Sequence, residues 1–234
     1  MYEKFAEIYD LIYQFKDYKS EVAKLKKIIK DNKKSEGNDL LDIACGTAEH
    51  LKYLKKDYNC VGVDINENML TIAKEKLPDV TFIKSNMLDL NLNKTFDIII
   101  CLFSSIGYLR TYKNLKKAIQ LFNDHLKKGG IIVIEPWFTR SVFREGSPGM
   151  TTYEDDTIKI ARLNDSKVKE NLSIMNMHYL IARLGEEVEY FKEKHILGLF
   201  EIDKTLQIFE DAGLSTVFLD DGFMKERGLF IAQK

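Results

Sequence analysis

Leu40-Leu41-Asp42-Ile43-Ala44-Cys45-Gly46-Thr47-Ala48-Glu49-His50-Leu51 runs from an apolar stretch through a turn of small residues into a segment of helical character. The short side chains of Ala44, Cys45, Gly46, Thr47 and Ala48 leave the backbone open, so a ligand can lie against it at the carboxyl end of a strand. The next apolar run, Cys60-Val61-Gly62-Val63, ends in Asp64, and a helix over 49–57 joins the two. An acid closing the second strand of a doubly wound sheet stands where a nucleoside ribose presents its hydroxyls. A dinucleotide site fits less well, because no Gly-x-Gly-x-x-Gly follows the first strand.

Composition narrows the classes. The chain has 234 residues, 45% of them hydrophobic, which suits one full-sized α/β domain with an insertion. Cys45, Cys60 and Cys101 form no Cys-x-x-Cys pair, so neither a metal site nor a disulfide framework is expected. Lysine and arginine number 35 against 36 acidic residues, a net charge of -1, and no basic run stands apart from an amphipathic pattern. Nucleic acid is therefore not an expected partner. No apolar stretch is long enough to span a bilayer and the amino terminus lacks a basic-then-apolar leader. A cytoplasmic protein with no membrane partner is expected.

Along the chain, Tyr2, Phe5, Ile8, Tyr9, Ile12 and Tyr13 recur at helical spacing within 1–16, giving an aromatic-faced helix. Two readings stay open for it: a helix packed on the sheet, or a lid formed by residues 1–20 over a bound ligand. Val22, Leu25, Ile28 and Ile29 mark a second helix, stopped by the polar stretch 31–38. The segment 66–77 reads as a helix with Met69, Leu70, Ile72 and Ala73 inward and Pro78 at its end. Val80 to Ile83 is a third strand leading to Ser85-Asn86-Met87. Phe96 to Cys101 is a continuous apolar run, hence a buried central strand, followed by Leu102-Phe103-Ser104-Ser105-Ile106-Gly107-Tyr108. A helix over 113–126 closing at Lys127-Lys128-Gly129-Gly130 precedes a fifth strand, 131–134, which ends in Glu135-Pro136-Trp137. The turns at Ala44, Asp64, Asn86, Phe103 and Glu135 then fall on one rim.

From 138 to 200 the pattern changes to partial alternation, over 157–162, 172–180 and 188–199, as in antiparallel strands with one wet face. This predicts an inserted sheet that covers the rim and contributes to the site there. A helix over 202–212 ended by Gly213 and two strands, 216–219 and 228–232, complete the chain. The expected division is a main domain of 1–137 with 201–234, and an insert of 138–200.

Asp42 to Ala48 resembles the first motif, Asp-x-Ala-Cys-Gly-Thr-Gly, of the class I S-adenosylmethionine-dependent methyltransferases, with Ala48 in place of the last glycine. The resemblance implies an α/β fold: a Rossmann-like, doubly wound, mostly parallel seven-stranded sheet, here with the inserted antiparallel sheet. It implies S-adenosyl-L-methionine as cofactor and S-adenosyl-L-homocysteine as product. Residues implied to bind the cofactor are Asp42, Ala44, Cys45, Gly46 and Thr47 in the turn, Asp64 and Ile65 after the second strand, and Met69 on the next helix. Asn86, replacing a usual acid, and Met87 would flank the adenine, and Leu102 and Phe103 would follow the fourth strand.

A narrower likeness covers most of the chain. Tyr9-Asp10-Leu11 with Lys16-Asp17-Tyr18, Phe103-Ser104-Ser105-Ile106-Gly107, Val133-Ile134-Glu135-Pro136-Trp137, His178-Tyr179-Leu180, His195 and Arg227-Gly228-Leu229-Phe230 are similar to the amino-sugar N,N-dimethyltransferases of macrolide biosynthesis. What this implies is N-methylation of the amino group of a nucleotide-linked, dTDP-type amino sugar. Another small-molecule N- or O-acceptor is the alternative. Tyr2, Tyr9, Tyr13, Lys16, Ser104, Ser105, Trp137, His195 and Arg227 are the implied acceptor residues, and no metal is called for. Tyr108 stands where a histidine is usual. An amine nucleophile must lose a proton, and Glu135, His178, His195 and Tyr108 are candidates for that base, with the role unassigned. Arg227, Lys16 and Arg140 are candidates to grip a diphosphate, Arg227 foremost because it precedes the last strand. The oligomeric state is open, a homodimer included.

Overall fold

Successive residues of a strand point to opposite faces, and in the middle of this chain both faces are apolar. The computed structural model, which describes residues 3–234, puts Leu40, Ile98, Ile100, Ile131 and Val133 in one buried cluster and Leu41, Ile43, Ile99, Cys101 and Ile132 in another. Tyr2 and the side chain of Phe5 lie outside the described residues.

The elements in order are α1 (Glu3–Ile12), α2 (Tyr18–Asn32), β1 (Asp39–Ile43), α3 (Glu49–Leu54), β2 (Asn59–Asp64), α4 (Glu67–Lys76), β3 (Thr81–Lys84) and β4 (Phe96–Cys101). A 3-10 turn at Ser105–Leu109 leads to α5 (Tyr112–Asp124) and β5 (Leu126–Ile134). Then come β6 (Gly149–Glu154), β7 (Ile158–Lys169), β8 (Leu172–Arg183) and β9 (Glu189–Gly198), and finally α6 (Ile202–Asp211), β10 (Ser215–Leu219) and β11 (Leu229–Gln233). The seven-stranded sheet has the order β10-β11-β5-β4-β1-β2-β3, and β6 to β9 pair in sequence as a second, four-stranded sheet. β11 is antiparallel to both its neighbours, while β1 to β5 pair in parallel. Strand order reverses between β1 and β4, and a crevice opens outside their carboxyl ends.

Local chemistry sets the helix starts. Asp17 Oδ1 accepts from Ser20 N at 2.9 Å to cap α2, Asn66 caps α4 through Asn68 N at 3.0 Å, and Thr111 Oγ1 caps α5 through Asn114 N at 3.2 Å. Helices α2 to α4 cover one face of the large sheet through Leu25, Ile29, Leu51 and Ala73; α5 and α6 cover the other through Ile119, Phe122 and Phe209. Helix α1 packs elsewhere. Its Ala6, Ile8 and Ile12 cluster with Met69 of α4 and with Ile160, Tyr179 and Ile181 on the inner face of the second sheet. It packs on the second sheet and not the central one, and Tyr9 on it and Tyr13 just after it line the crevice.

Two expectations need correction. The helix over 113–126 stops at Asp124, and the chain is already extended at Leu126, so Lys127 to Gly130 belong to β5 and not to a helix cap. Gly129, at φ 76°, sits there in a bulge whose carbonyl accepts from Lys34 N and Ser35 N, a Cβ being blocked by Ser35 N at 3.0 Å. The second sheet also has a strand, β6, that the alternation did not reveal. Its Gly, Met and two Thr lie on an edge with one half-covered face, where the hydrophobic signal is weak.

Lys127 ties the amino-terminal end of the sheet together, at 2.8 Å from both Asp39 Oδ2 and Asp97 Oδ2. Hydrogen bonds from Lys127 and Lys94 hold the Asp39 carboxyl down at about 2. For Asp97, burial raises the carboxyl, but the bonds from Lys127, Ser35 and the Asp39 amide outweigh it and leave it lowered. A depressed carboxyl stabilises the fold above its unfolded pKa and loses that contribution as pH falls through the folded value. Unfolding free energy, followed by urea titration, is expected to drop as pH falls from about 4 toward 2. Lys127→Met should lower stability at pH 7 and flatten that acid slope.

Candidate active site

A cavity of about 790 Å³ fills the space between the rim of the large sheet, α1 and the inner face of the second sheet. That volume is in the range that holds two small ligands side by side. On the rim side its wall is Ile43, Ala44 and Gly46 after β1, Asp64 and Ile65 after β2, and Met69 on α4. Asn86 and Met87 after β3 continue it, followed by Phe103, Ser104 and Ser105 after β4. A recess of about 40 Å³ behind the turn is lined by Asp42, Cys45, Thr47, Leu102 and His50. The twelve rim residues implied by the motif therefore lie together, eight on the cavity and four on the recess.

The turn has unusual backbone geometry. Ala44 (φ 59°), Gly46 (φ 56°) and Ala48 (φ 67°) are all left-handed, and no atom lies within 4 Å of the place a Cβ would take on Gly46. Ala48 keeps the left-handed conformation that a glycine would adopt freely, with its methyl buried beside α3. Asp64 is nearly buried; its Oδ2 accepts from Gly46 N at 2.9 Å and its Oδ1 from Asn66 N at 2.8 Å. The Ile65 amide bonds the same carboxylate, which with about four acceptor sites still has capacity for a ligand. Burial raises the Asp64 carboxyl, against the pull of those amides, and burial together with the Asp64 charge raises Asp42 well above the carboxylate range. Thr47 Oγ1 donates to Asp10 of α1 at 2.6 Å, and Lys76 bonds the same carboxylate, so α1 is tied to the turn. Asn86 Oδ1 accepts from Leu88 N at 2.9 Å and keeps one lone pair for a ligand.

Opposite the turn, Arg227 lies 4.7 Å from the Trp137 ring, 5.0 Å from Phe138 and 5.8 Å from Phe103. Its Nη1 donates to Ser104 Oγ at 3.0 Å, and Ser104 donates on to the Pro136 carbonyl at 2.7 Å. Burial pulls the guanidinium below its ordinary value, with Glu135 opposing. The acids next to it in sequence are engaged elsewhere, Asp221 with Lys24 and Glu226 near Arg144. Trp137, Tyr108, His195, Tyr9 and Tyr13 also line this half of the cavity. Tyr108 Oη and His195 Nδ1 are 2.6 Å apart, and His195 Nε2 is 3.4 Å from Glu193.

Three residues implied for the site lie apart from the cavity. Glu135 is fully buried, its Oε2 accepting from Phe103 N at 2.8 Å and its Oε1 from Met224 N at 3.1 Å. Burial raises its carboxyl while Lys16 and Arg227 pull it down, and both oxygens are aimed at backbone, so it is a brace and not a base. His178 is on β8 one residue out of phase with the inward Met175 and Met177; it bonds Tyr190 Oη at 2.8 Å and approaches Asp165 on the outer face. Lys16 is buried against Glu21, with its ammonium 4.4 Å from the Phe103 ring, and Glu21 is shared with His50. The Arg140 side chain is exposed outside the lining. Tyr2 is outside the described residues. Conversely, Arg162, Asn164, Met177 and Lys194 line the cavity without having been singled out. The inward phase of 160, 162 and 164 in β7 was the available signal.

Residues 40–130 match the family described as "Methyltransferase domain". The chain is 34% identical, over 99% of its length and 98% of the other, to dTDP-3-amino-3,4,6-trideoxy-alpha-D-glucopyranose N,N-dimethyltransferase of Streptomyces venezuelae. The crystal structure of Streptomyces venezuelae DesVI superposes with a TM-score of 0.92 at 34% identity, covering 98% of both chains. SAM-bound CalS10, an amino pentose methyltransferase from Micromonospora echinaspora, gives 0.86 at 26% identity, covering 96% of this chain and 95% of that one.

Two contrasts test the geometry. Losing charge-assisted bonds to a ribose costs about 1.5–3 kcal/mol each, so Asp64→Ala should weaken S-adenosylhomocysteine binding at least tenfold in calorimetry while the fold persists. Glu135→Gln replaces one acceptor with a donor facing a backbone N–H, and should lower stability by about 1–3 kcal/mol and cut turnover. His178→Ala should leave turnover within about twofold, since surface changes of this kind rarely exceed about 0.5 kcal/mol.

Proposed function

The chain belongs to the S-adenosylmethionine-dependent methyltransferases, and from that membership we propose that it N-methylates the amino group of a nucleotide-linked amino sugar. S-adenosyl-L-methionine is its cofactor. The residues fit it: the space over Gly46 is open to a ligand at the carboxyl end of β1, and the Asp64 carboxylate closes β2 with lone pairs to spare. The cofactor supplies an already activated methyl group on a cationic sulfur.

What the chain adds is position and a path for the proton. The Asp64 carboxyl lies on one side of the cavity and the cation Arg227 on the other. A cationic cofactor and an anionic acceptor are thereby sorted to opposite walls. The Phe103-Ser104-Ser105 turn separates the two halves. An amine that gains a methyl still carries the proton it must lose before a second transfer. With Glu135 and His178 turned elsewhere, Tyr108 bonded to His195 is the pair on the cavity wall that can accept it.

The observation that carries the nucleotide is Arg227. A guanidinium half-buried in a box of Phe103, Trp137 and Phe138, with no carboxylate at ion-pair distance among the described residues and only the more distant Glu135 and Glu21 opposing its desolvation, is suited to an incoming anion. A diphosphate meets that need and a free amino sugar does not. The likeness to a dTDP-amino-sugar N,N-dimethyltransferase over the whole chain supports the same acceptor class. Mass spectrometry with labelled cofactor and a panel of thymidine-diphosphate amino sugars should show mass gains of one and two methyl groups. Arg227→Ala should raise the acceptor's KM about ten- to a hundredfold with cofactor affinity unchanged, and Arg227→Lys should recover part of it. Equal losses on the nucleotide sugar and the matching free amino sugar would favour a non-nucleotide acceptor.

A further inference from the structure

Arg162 is not used by this reading. It stands at an inward position of β7, only 8% exposed, and lines the same cavity as Arg227. Its Nη1 donates to Tyr13 Oη at 2.8 Å and its Nη2 to Thr151 Oγ1 at 2.7 Å, and the Tyr179 hydroxyl also contacts it. Its Nε is buried and has no hydrogen-bond partner among the described residues. The hydrogen-bonded partners are neutral hydroxyls and no ion pair of Arg162 is found among the described residues; the buried Glu193 carboxylate of β9 acts on the same Tyr179 from further off. A guanidinium stays protonated, and burying it among neutral groups is costly unless an anion joins it.

Tyr13 gives the cation a direction. Its oxygen accepts from Arg162, and its own proton is left to donate to a further acceptor. The tyrosine lines the cavity, edge-on to Phe103 with ring centroids 4.9 Å apart, and Phe103 is in turn a face of the Arg227 box. Arg162 and Arg227 therefore flank one aromatic pair from its two ends.

We propose that Arg162 and the Tyr13 hydroxyl form a second binding point for anionic oxygen of the acceptor, so that a nucleoside diphosphate is held between Arg162 and Arg227. The assignment rests on the nucleotide-sugar reading and adds to it the residues that take the second negative charge. The competing account is a strut, in which Arg162 only holds Tyr13 of α1 to Thr151 of β6.

Calorimetry on the full chain distinguishes them, with thymidine diphosphate, thymidine and S-adenosylhomocysteine as probes. Arg162→Gln should weaken thymidine diphosphate about ten- to a hundredfold, thymidine by less than about threefold, and leave S-adenosylhomocysteine unchanged. Arg162→Lys should restore part of the diphosphate affinity, because lysine keeps the charge and loses the fork. Tyr13→Phe, which keeps the ring and removes the donor, should weaken the diphosphate selectively, and it decides the matter if Arg162→Gln does not fold. The double change of Arg162→Gln with Arg227→Ala should be non-additive, as expected of two groups on one ligand. Equal weakening of thymidine and its diphosphate, or diphosphate binding lost in Arg227→Ala and retained in Arg162→Gln, overturns the proposal alone. Failure of the unmodified chain to bind thymidine diphosphate overturns the nucleotide reading and this proposal with it.

Discussion

The carboxylate of Glu135, with no exposed surface, accepts from the amides of Phe103 and Met224 and so joins the ends of β4 and β5 to the loop between β10 and β11. The need for such a brace is visible in the backbone. Phe103 and Ser104 are consecutive left-handed residues at φ 51° and 64°, a conformation that costs a bulky side chain about 1–2 kcal/mol. Two charge-assisted bonds at about 1.5–3 kcal/mol each are of the size needed to hold it. That turn then projects Phe103 between the two halves of the cavity, and the loop on the other Glu135 oxygen carries Arg227. One buried acid thus fixes the spacing between the turn after β4 and the loop that carries Arg227, on two walls of the cavity.

Charge is distributed to match. Burial raises the Asp42, Asp64 and Glu135 carboxyls alike, so a cation bound beside the strand ends would favour their charged forms, whereas Arg162 and Arg227 stand on the far side with hydroxyls and aromatic rings for company. The walls select by sign before any shape is read. Gly107 keeps them close: a Cβ there would meet Leu197 of β9 at 2.9 Å and Trp137 at 3.1 Å, so the second sheet rests directly on the turn that follows β4.

The large sheet was legible because its strands are apolar on both faces and each ends in a residue that only a ligand or a tight turn explains, as Asp64 and Gly46 do. The rim residues lie together for the same reason: strand ends are fixed by topology. Side-chain direction was not legible. His178 and Lys16 sit in matching motifs, yet a one-residue phase in β8 turns the first outward, and Glu21 holds the second inside. Glu135 shows the complementary limit, since an acid at a strand end can serve two amides as readily as a substrate. Lys127-Lys128-Gly129-Gly130 has the composition of a helix end, but it lies inside β5 between Leu126 and Ile131, both of which pair with β4. Arg162 was passed over because a charged residue on an alternating strand reads as its wet face.

Helix α1 has its apolar side on β7 and β8, and Tyr13 bonds a residue 149 positions further on. The segment meets Met69 of α4 early but waits for β7 and β8 before the rest of its burial partners exist. Contacts of such separation form late and slow the search for the native state. During synthesis α1 has only α4 and the turn after β1 against it while the strands of the large sheet emerge, a period in which the rest of its apolar stripe is open to wrong partners. The roof of the cavity is thus the part of the molecule whose folding depends on completion of the second sheet, and the site closes last.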